Sequence, residues 1–136
     1  MNQENNNSEG QEEKVIEPEV MRELTSDEKT MAILAHALAI IAGFVAPMII
    51  YLVKKEESSF IEQHARESLN FQLLALIAFI ALIILNFLTC GIAGILFIPL
   101  GIVVLIFCIL AAVKASNGED YKYPINLPII PPPSKK

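Results

Sequence analysis

Two uncharged stretches decide the fold of this chain. The longer one, residues 68–113, reads SLNFQLLALIAFIALIILNFLTCGIAGILFIPLGIVVLIFCILAAV, and the shorter one, residues 30–53, reads TMAILAHALAIIAGFVAPMIIYLV. Neither contains Asp, Glu, Lys or Arg. At about 1.5 Å per residue, a helix of the shorter stretch measures roughly 36 Å, which suffices for one crossing of a hydrocarbon core about 30 Å thick. The longer stretch is about twice that length and must fold back, so we predict three transmembrane helices.

The fold-back is expected at Thr89–Gly94, where TCGIAG supplies two glycines for a tight turn. The predicted crossings are about 31–53, 70–89 and 93–113. A soluble helical bundle is disfavoured because Leu73–Leu85 shows no polar stripe at helical spacing. A cleaved signal peptide is disfavoured because the segment before the first apolar run is acidic. The fold class is therefore an all-α integral membrane protein.

Charge is distributed unevenly along the chain. Only 18% of its residues are charged and 54% are hydrophobic, and the acidic excess lies in the first 29 residues. The scattered Lys and Arg do not form the basic surface that nucleic-acid binding requires. Residues 1–24 are rich in Asn, Gln and Glu, so we expect a disordered acidic tail.

Capping signals place the boundaries of a helical membrane domain at residues 25–116. Thr25 and Glu28 form a capping box that starts the first helix, and Pro47 predicts a kink one turn earlier. Ser59 and Glu62 form a second box, which predicts a helix of about 30 residues whose segment 60–69 lies at the membrane interface.

The last helix is expected to begin either near Ile92 or at Pro99 and to end at Asn117-Gly118. Residues 117–136 then form an extended Pro-rich tail. With three crossings, the connector 54–69 and the C-terminus share one side of the membrane. Basic residues favour that side five to two, which predicts that it is cytoplasmic and that the N-terminus faces out.

In the first predicted crossing, His36 is the candidate functional residue because an ionisable group inside a membrane is costly. The commoner explanation is a neutral imidazole that hydrogen-bonds to a neighbouring helix. His36, Gly43 and Pro47 fall on one face at helical spacing and offer a possible cavity lining. Ala35, Ala39 and Gly43 form a ladder of small residues, which is typical of close helix packing against this chain or a partner.

The second predicted helix carries the other polar candidates. Asn70, Gln72 and Asn86 are amides that can hydrogen-bond across helices, and Asn86 is expected to be the most buried. His64 is interpreted as a solvated interfacial histidine, because its surroundings lack the ligand spacing of a metal site. No catalytic, nucleotide-binding or metal motif is present, so the sequence predicts a non-enzyme without a cofactor.

Three short segments also carry a resemblance. Residues 62–72 (EQHARESLNFQ), 31–36 (MAILAH) and 117–124 (NGEDYKYP) are similar to motifs of a family of small bacterial membrane proteins of unknown function. That family is related to the Tic-twenty import-channel subunit of chloroplasts. The resemblance implies a multi-pass protein of the bacterial inner membrane and a role in translocation or assembly.

Two functional hypotheses follow. The first is an interaction or assembly component of a membrane complex, with the lipid bilayer and other membrane proteins or further copies as partners. The second is a small homo-oligomeric channel or carrier, because His36, Gly43 and Pro47 share a face and three helices are too few to enclose a pore alone.

Overall fold

The computed structural model describes residues 23–133. The predicted disordered tail falls outside this range except for Glu23 and Leu24. The described residues form five α-helices and one short 3-10 helix and contain no strand. The α-helices are α1 (Ser26–Ala37), α2 (Ala39–Ala42), α3 (Val45–Lys54), α4 (Ser59–Leu88) and α5 (Phe97–Ser116), with the 3-10 helix Ile92–Leu96 before α5.

Two of the described helices are long and apolar enough to cross a membrane: Ser59–Leu88 and the continuous helical segment Ile92–Ser116. Their most apolar windows are only 22% and 11% buried. The core helix of a soluble protein would be mostly buried, so this exposure indicates lipid contact. Residues 68–88 of α4 measure about 31 Å, which matches the hydrocarbon thickness.

The first apolar stretch folds as three shorter helices instead of the one helix predicted over 31–53, and none of the three has the length of a membrane span. A straight helix from Ser26 to Lys54 would be roughly 43 Å long. Instead, the Ser58 hydroxyl donates to the Glu28 carboxylate over 2.6 Å, so the chain returns to the level at which α1 began. Helices α1 to α3 therefore form a re-entrant hairpin with both ends on one side.

Gly43 makes this reversal possible. Its φ of 58° and ψ of −133° lie in a region that is essentially restricted to glycine. Pro47 follows in the first turn of α3, where its missing N–H would have no intrahelical partner. The break therefore lies one turn before Pro47, as predicted, but it reverses the chain instead of kinking a crossing.

The remaining boundaries follow the predicted signals closely. The Thr25 capping box is present with both hydrogen bonds, and Ser58, one residue earlier than predicted, caps the 30-residue α4. The turn after α4 uses positive φ at Cys90 and Gly91. Gly118, with φ of 74°, ends α5 as predicted.

Helix α1 packs against both α4 and α5, and α3 packs against α4. Leu24 and Ala32 of the hairpin cluster with Phe60 and Ala115. The start of α1, the start of α4 and the end of α5 therefore lie together, and the N-terminal side of the membrane domain is the same as the C-terminal side. The prediction of three crossings had put the start of α1 and the end of α5 at opposite ends of the helices.

We call this common end, formed by residues 23–29, 54–67 and 114–123, the polar end. Every charged side chain in the described range belongs to it. The opposite end is the turn Thr89–Gly91, which we call the far turn and which carries no charge.

Candidate functional site: a histidine–tyrosine chain

A chain of buried hydrogen bonds joins the hairpin, α4 and the C-terminal tail. His36 lies in the last turn of α1, and its Nε2 is 2.9 Å from Nδ1 of His64. The other ring nitrogen of His36, Nδ1, is 2.9 Å from the Tyr123 hydroxyl. Both histidines are 0% exposed. Three segments that are distant in sequence therefore share one polar contact inside the protein.

The direction of the chain follows from its last member. Nε2 of His64 lies 3.1 Å from the backbone carbonyl of Glu119, which can only accept a hydrogen bond. His64 therefore carries its proton on Nε2 and accepts at Nδ1 from His36 Nε2–H. Nδ1 of His36 is then bare and accepts from the Tyr123 hydroxyl. Both imidazoles are neutral in this arrangement, and each ring nitrogen has one partner.

Aromatic contacts fix the tyrosine in place. The Tyr123 ring stacks on Phe71 of α4, with centroids 4.1 Å apart and planes 10° apart. Tyr121 meets Tyr123 edge-on at 5.0 Å. Burial raises the pKa of the Tyr123 hydroxyl above its ordinary value of 10.0, so it remains a hydrogen-bond donor at neutral pH. Tyr123 is only 4% exposed.

Two amides anchor the tail further along α4. Asn70 bonds to Ile130 twice: its Nδ2 donates to the Ile130 carbonyl over 3.0 Å, and its Oδ1 accepts from the Ile130 N–H over 2.7 Å. Asn126 donates to the Glu67 carboxylate over 2.7 Å. The tail is thus held at three successive levels along α4, and the Pro-rich segment is an ordered part of the fold.

An apolar cavity of about 380 Å³ lies where the re-entrant hairpin ends. Its walls include Gly43 and Phe44 at the hairpin tip, Phe79 of α4 and Gly101 of α5. Gln72 lines the same cavity and donates to the Cys108 sulfur over 3.3 Å. The hairpin therefore reaches about the middle of α4 and leaves the space beyond its tip open to the bilayer.

The candidates of the first apolar stretch have separate positions. His36 belongs to the buried chain, and Ala39, the first residue of α2, is buried as are Ala32 and Ala35 of α1. Gly43 forms the reversal, and Pro47 is buried in α3. The predicted common face of His36, Gly43 and Pro47 does not exist, because the chain turns back between the first and last of them.

Of the candidate residues on α4, all except Asn86 form side-chain hydrogen bonds to other parts of the chain. His64 is buried, so the interpretation as a solvated histidine is wrong. Asn70 and Gln72 are buried, whereas Asn86 is half-buried, which reverses the predicted order. The Asn86 Oδ1 atom has no hydrogen-bond partner among the described residues; a Cβ on Gly94 would approach it to 2.9 Å.

The contacts seen at this site are hydrogen bonds and aromatic packing. Within residues 23–133, no group of three or more His, Cys, Asp or Glu side chains could hold a metal ion. Arg66 donates to Glu62, four residues earlier in α4, over 2.8 Å. Cys90 is exposed in the far turn, and Cys108 is buried and free.

Sequence reasoning missed Tyr123 and the tail as members of the site. The proline content of residues 117–136 predicted a segment without a core, although Tyr121 and Tyr123 are the two aromatic residues there. These rings were the available signal, since aromatic side chains are uncommon in solvated tails. Their partner His36 lies 87 residues away in sequence, which no local pattern reveals.

Comparison with known proteins identifies the family. The model of the magnetosome magnetite crystal formation protein family, MamF/MmsF, matches residues 27–130, about three quarters of the chain. The match begins in α1 and ends at Ile130, the last residue that α4 anchors. No curated protein and no solved structure matches this chain. The match overturns the assignment to a Tic-twenty-related family and, with it, the implied role in translocation.

Proposed function

Because this chain belongs to the magnetosome magnetite crystal formation family, we propose that it takes part in that process as a non-enzymatic assembly component of a membrane complex. The observation that supports this most directly is the use of its buried polar side chains. His36, His64, Asn70 and Tyr123 bond to other groups of the same chain. They stabilise one arrangement of hairpin, helices and tail and leave no nucleophile with an adjacent base.

We further propose that the polar end faces the cytoplasm. Basic residues near membrane helices are enriched on the cytoplasmic side. Since the hairpin is re-entrant, all described basic residues lie at the polar end and none at the far turn: Lys29, Lys54, Lys55, Arg66, Lys114 and Lys122. The bias is therefore stronger than three crossings would give, and it supports a cytoplasmic location for the polar end.

This orientation restricts how partners meet the protein. Water-soluble or charged partners bind at the polar end, because the far turn consists of Thr89, Cys90 and Gly91 only. Membrane partners or further copies bind through the exposed apolar faces of α4 and α5. The large exposed side chains there include Ile77, Ile84, Ile102 and Ile109.

The alternative of a homo-oligomeric channel has less support from the geometry. It relied on His36 lining a path, but His36 is 0% exposed and both its ring nitrogens are hydrogen-bonded. The assembly proposal predicts that substitution of His36 with Leu changes stability and leaves membrane conductance unchanged. A change in conductance at unchanged stability would favour the channel.

Labelling of the native cysteines tests the orientation. A membrane-impermeant maleimide is expected to label Cys90 only when the reagent has access to the non-cytoplasmic side of the membrane that holds the protein. Cys90→Ser should abolish the labelling, because the other cysteine, Cys108, is buried and should not react. Labelling of Cys90 from the cytoplasmic side alone would contradict the proposed orientation.

The assembly role is tested by purification from native membranes in mild detergent, with complex mass and composition measured together. A defined complex with foreign subunits or several copies is expected, and its loss should change crystal size or number by electron microscopy. Complementation with Cys90→Ser should restore both readouts. A monomer, with crystals unchanged when the chain is deleted, would refute the proposal.

A further inference from the structure

The histidine–tyrosine chain is complete only when both imidazoles are neutral. The neutral pair offers two N–H groups and two bare nitrogens. At the contact between the two rings, the N–H of His36 faces the bare nitrogen of His64. The bare nitrogen of His36 faces the Tyr123 hydroxyl, and the N–H of His64 faces the Glu119 carbonyl. Added protons must therefore rearrange this chain.

One added proton can be accommodated. The pair then has three N–H groups and one bare nitrogen, which must lie at the histidine–histidine contact. His36 Nδ1–H donates to the Tyr123 oxygen, and the tyrosine hydroxyl turns to another acceptor. The Cys108 sulfur, in the same buried cluster as Tyr123, is the acceptor to which that hydroxyl can turn. The tail remains attached in this state, with the bond between His36 and Tyr123 reversed.

A second added proton breaks the arrangement. Two N–H groups then oppose each other across a contact of 2.9 Å, and two cations repel inside an apolar cluster. The groups that face the pair offer little compensation. Asp120 is the one carboxylate that acts on His64, while Glu119 pairs with Lys114, Glu67 binds Asn126, and Tyr121, Tyr123 and Cys108 are uncharged at neutral pH.

We propose that the tail, residues 119–130, is a pH-operated clasp on α4. At neutral pH the uncharged histidine pair holds the tail through Tyr123 and the Glu119 carbonyl. Acidification charges both histidines, separates them and releases the tail. Release uncovers Phe71 and Cys108, which the Tyr123 ring and the tail otherwise cover. The protein therefore presents two different surfaces: one with the tail bound to α4, and one with the tail released and Phe71 and Cys108 uncovered.

Fluorine NMR of the full chain in nanodiscs, with 3-fluorotyrosine at its three tyrosines, tests this proposal. Tyr123→Phe assigns the resonance of the packed ring, and Tyr51 on α3 is the internal reference. Burial lowers the pKa of His36 to about 3, so between about pH 8 and pH 3 the packed Tyr123 resonance of the wild type should lose most of its intensity reversibly. An unchanged resonance over this range would overturn the proposal.

The matched variant carries His36→Gln and His64→Gln. Each glutamine amide supplies one donor and one acceptor and does not titrate, so the tail should remain packed at both pH values. Loss of the packed resonance at the same pH as in the wild type would assign the effect to other groups and overturn the clasp.

A second measurement keeps the proposal testable if the double variant does not fold. In the wild type, alkylation of Cys108 by a small permeant reagent is measured relative to exposed Cys90, which cancels the general effect of pH on thiolate concentration. The ratio should rise several-fold on acidification. A constant ratio would contradict release of the tail.

Discussion

Substitution of Tyr123 with Phe measures how strongly the tail is held. The change removes one hydroxyl and keeps the ring that stacks on Phe71. His36 Nδ1 then becomes a buried acceptor without a partner, since its Nε2 is committed to His64. A lost hydrogen bond contributes about 1 kcal/mol, and an unsatisfied buried polar group costs about 1–3 kcal/mol. We therefore expect the free energy of unfolding to fall by about 1–3 kcal/mol.

Equilibrium unfolding in mixed micelles, followed by circular dichroism at pH 7, gives this quantity. Tyr121→Phe is the matched control, because it removes the same hydroxyl two residues away, where that group has no hydrogen-bond partner among the described residues. The control should change the free energy of unfolding by less than about 0.5 kcal/mol. If the two variants were equally stable, the hydrogen bond between Tyr123 and His36 would not hold the tail, and the argument from buried polar groups would fail.

Three further predictions concern the hairpin, the tail anchor and alkaline pH. Gly43→Ala should destabilise the fold by about 1–3 kcal/mol in the same unfolding assay, because residue 43 has a positive φ. Gly101→Ala, in open space within α5, is the control and should not destabilise the fold; equal effects would contradict the hairpin turn. Asn70→Ala removes both hydrogen bonds to Ile130 and should speed hydrogen exchange of the Ile130 amide about tenfold. Amide exchange within α5 should stay unchanged, and unaltered exchange at Ile130 would contradict the anchor. The raised pKa of Tyr123 contributes stability that is fully present below pH 10 and is lost above it. The free energy of unfolding should therefore fall above pH 10 in the wild type and fall less in Tyr123→Phe; identical pH profiles of the unfolding free energy would refute this.

Local sequence signals sufficed for the helix boundaries. Thr25 and Glu28 form a capping box from residues three apart, and Gly118 ends α5 by its own backbone conformation. These features depend on neighbouring residues only. The turn after α4 was predictable for a different reason, because an uncharged stretch twice the membrane thickness must reverse.

The re-entrant hairpin was not predictable from length and hydropathy. Residues 30–53 are long enough to cross a membrane, and the same stretch is long enough for two half-crossings. The choice depends on tertiary contacts, namely the bond from Ser58 to Glu28 and the packing of Ala32 and Ala35 inside the protein. The histidine chain was hidden for the same reason, since it requires the hairpin and the tail to meet at α4.

The uncharged far turn also has a consequence for biogenesis. A protein whose loops carry charges or folded segments must have them transported through the hydrocarbon during insertion, which is costly for each charged group. Within residues 23–133, the backbone farthest from the polar end is the Thr89–Gly91 turn, and no charged side chain accompanies it. In the proposed orientation, helices α4 and α5 can enter the bilayer together as one unit, while the polar end remains in the cytoplasm.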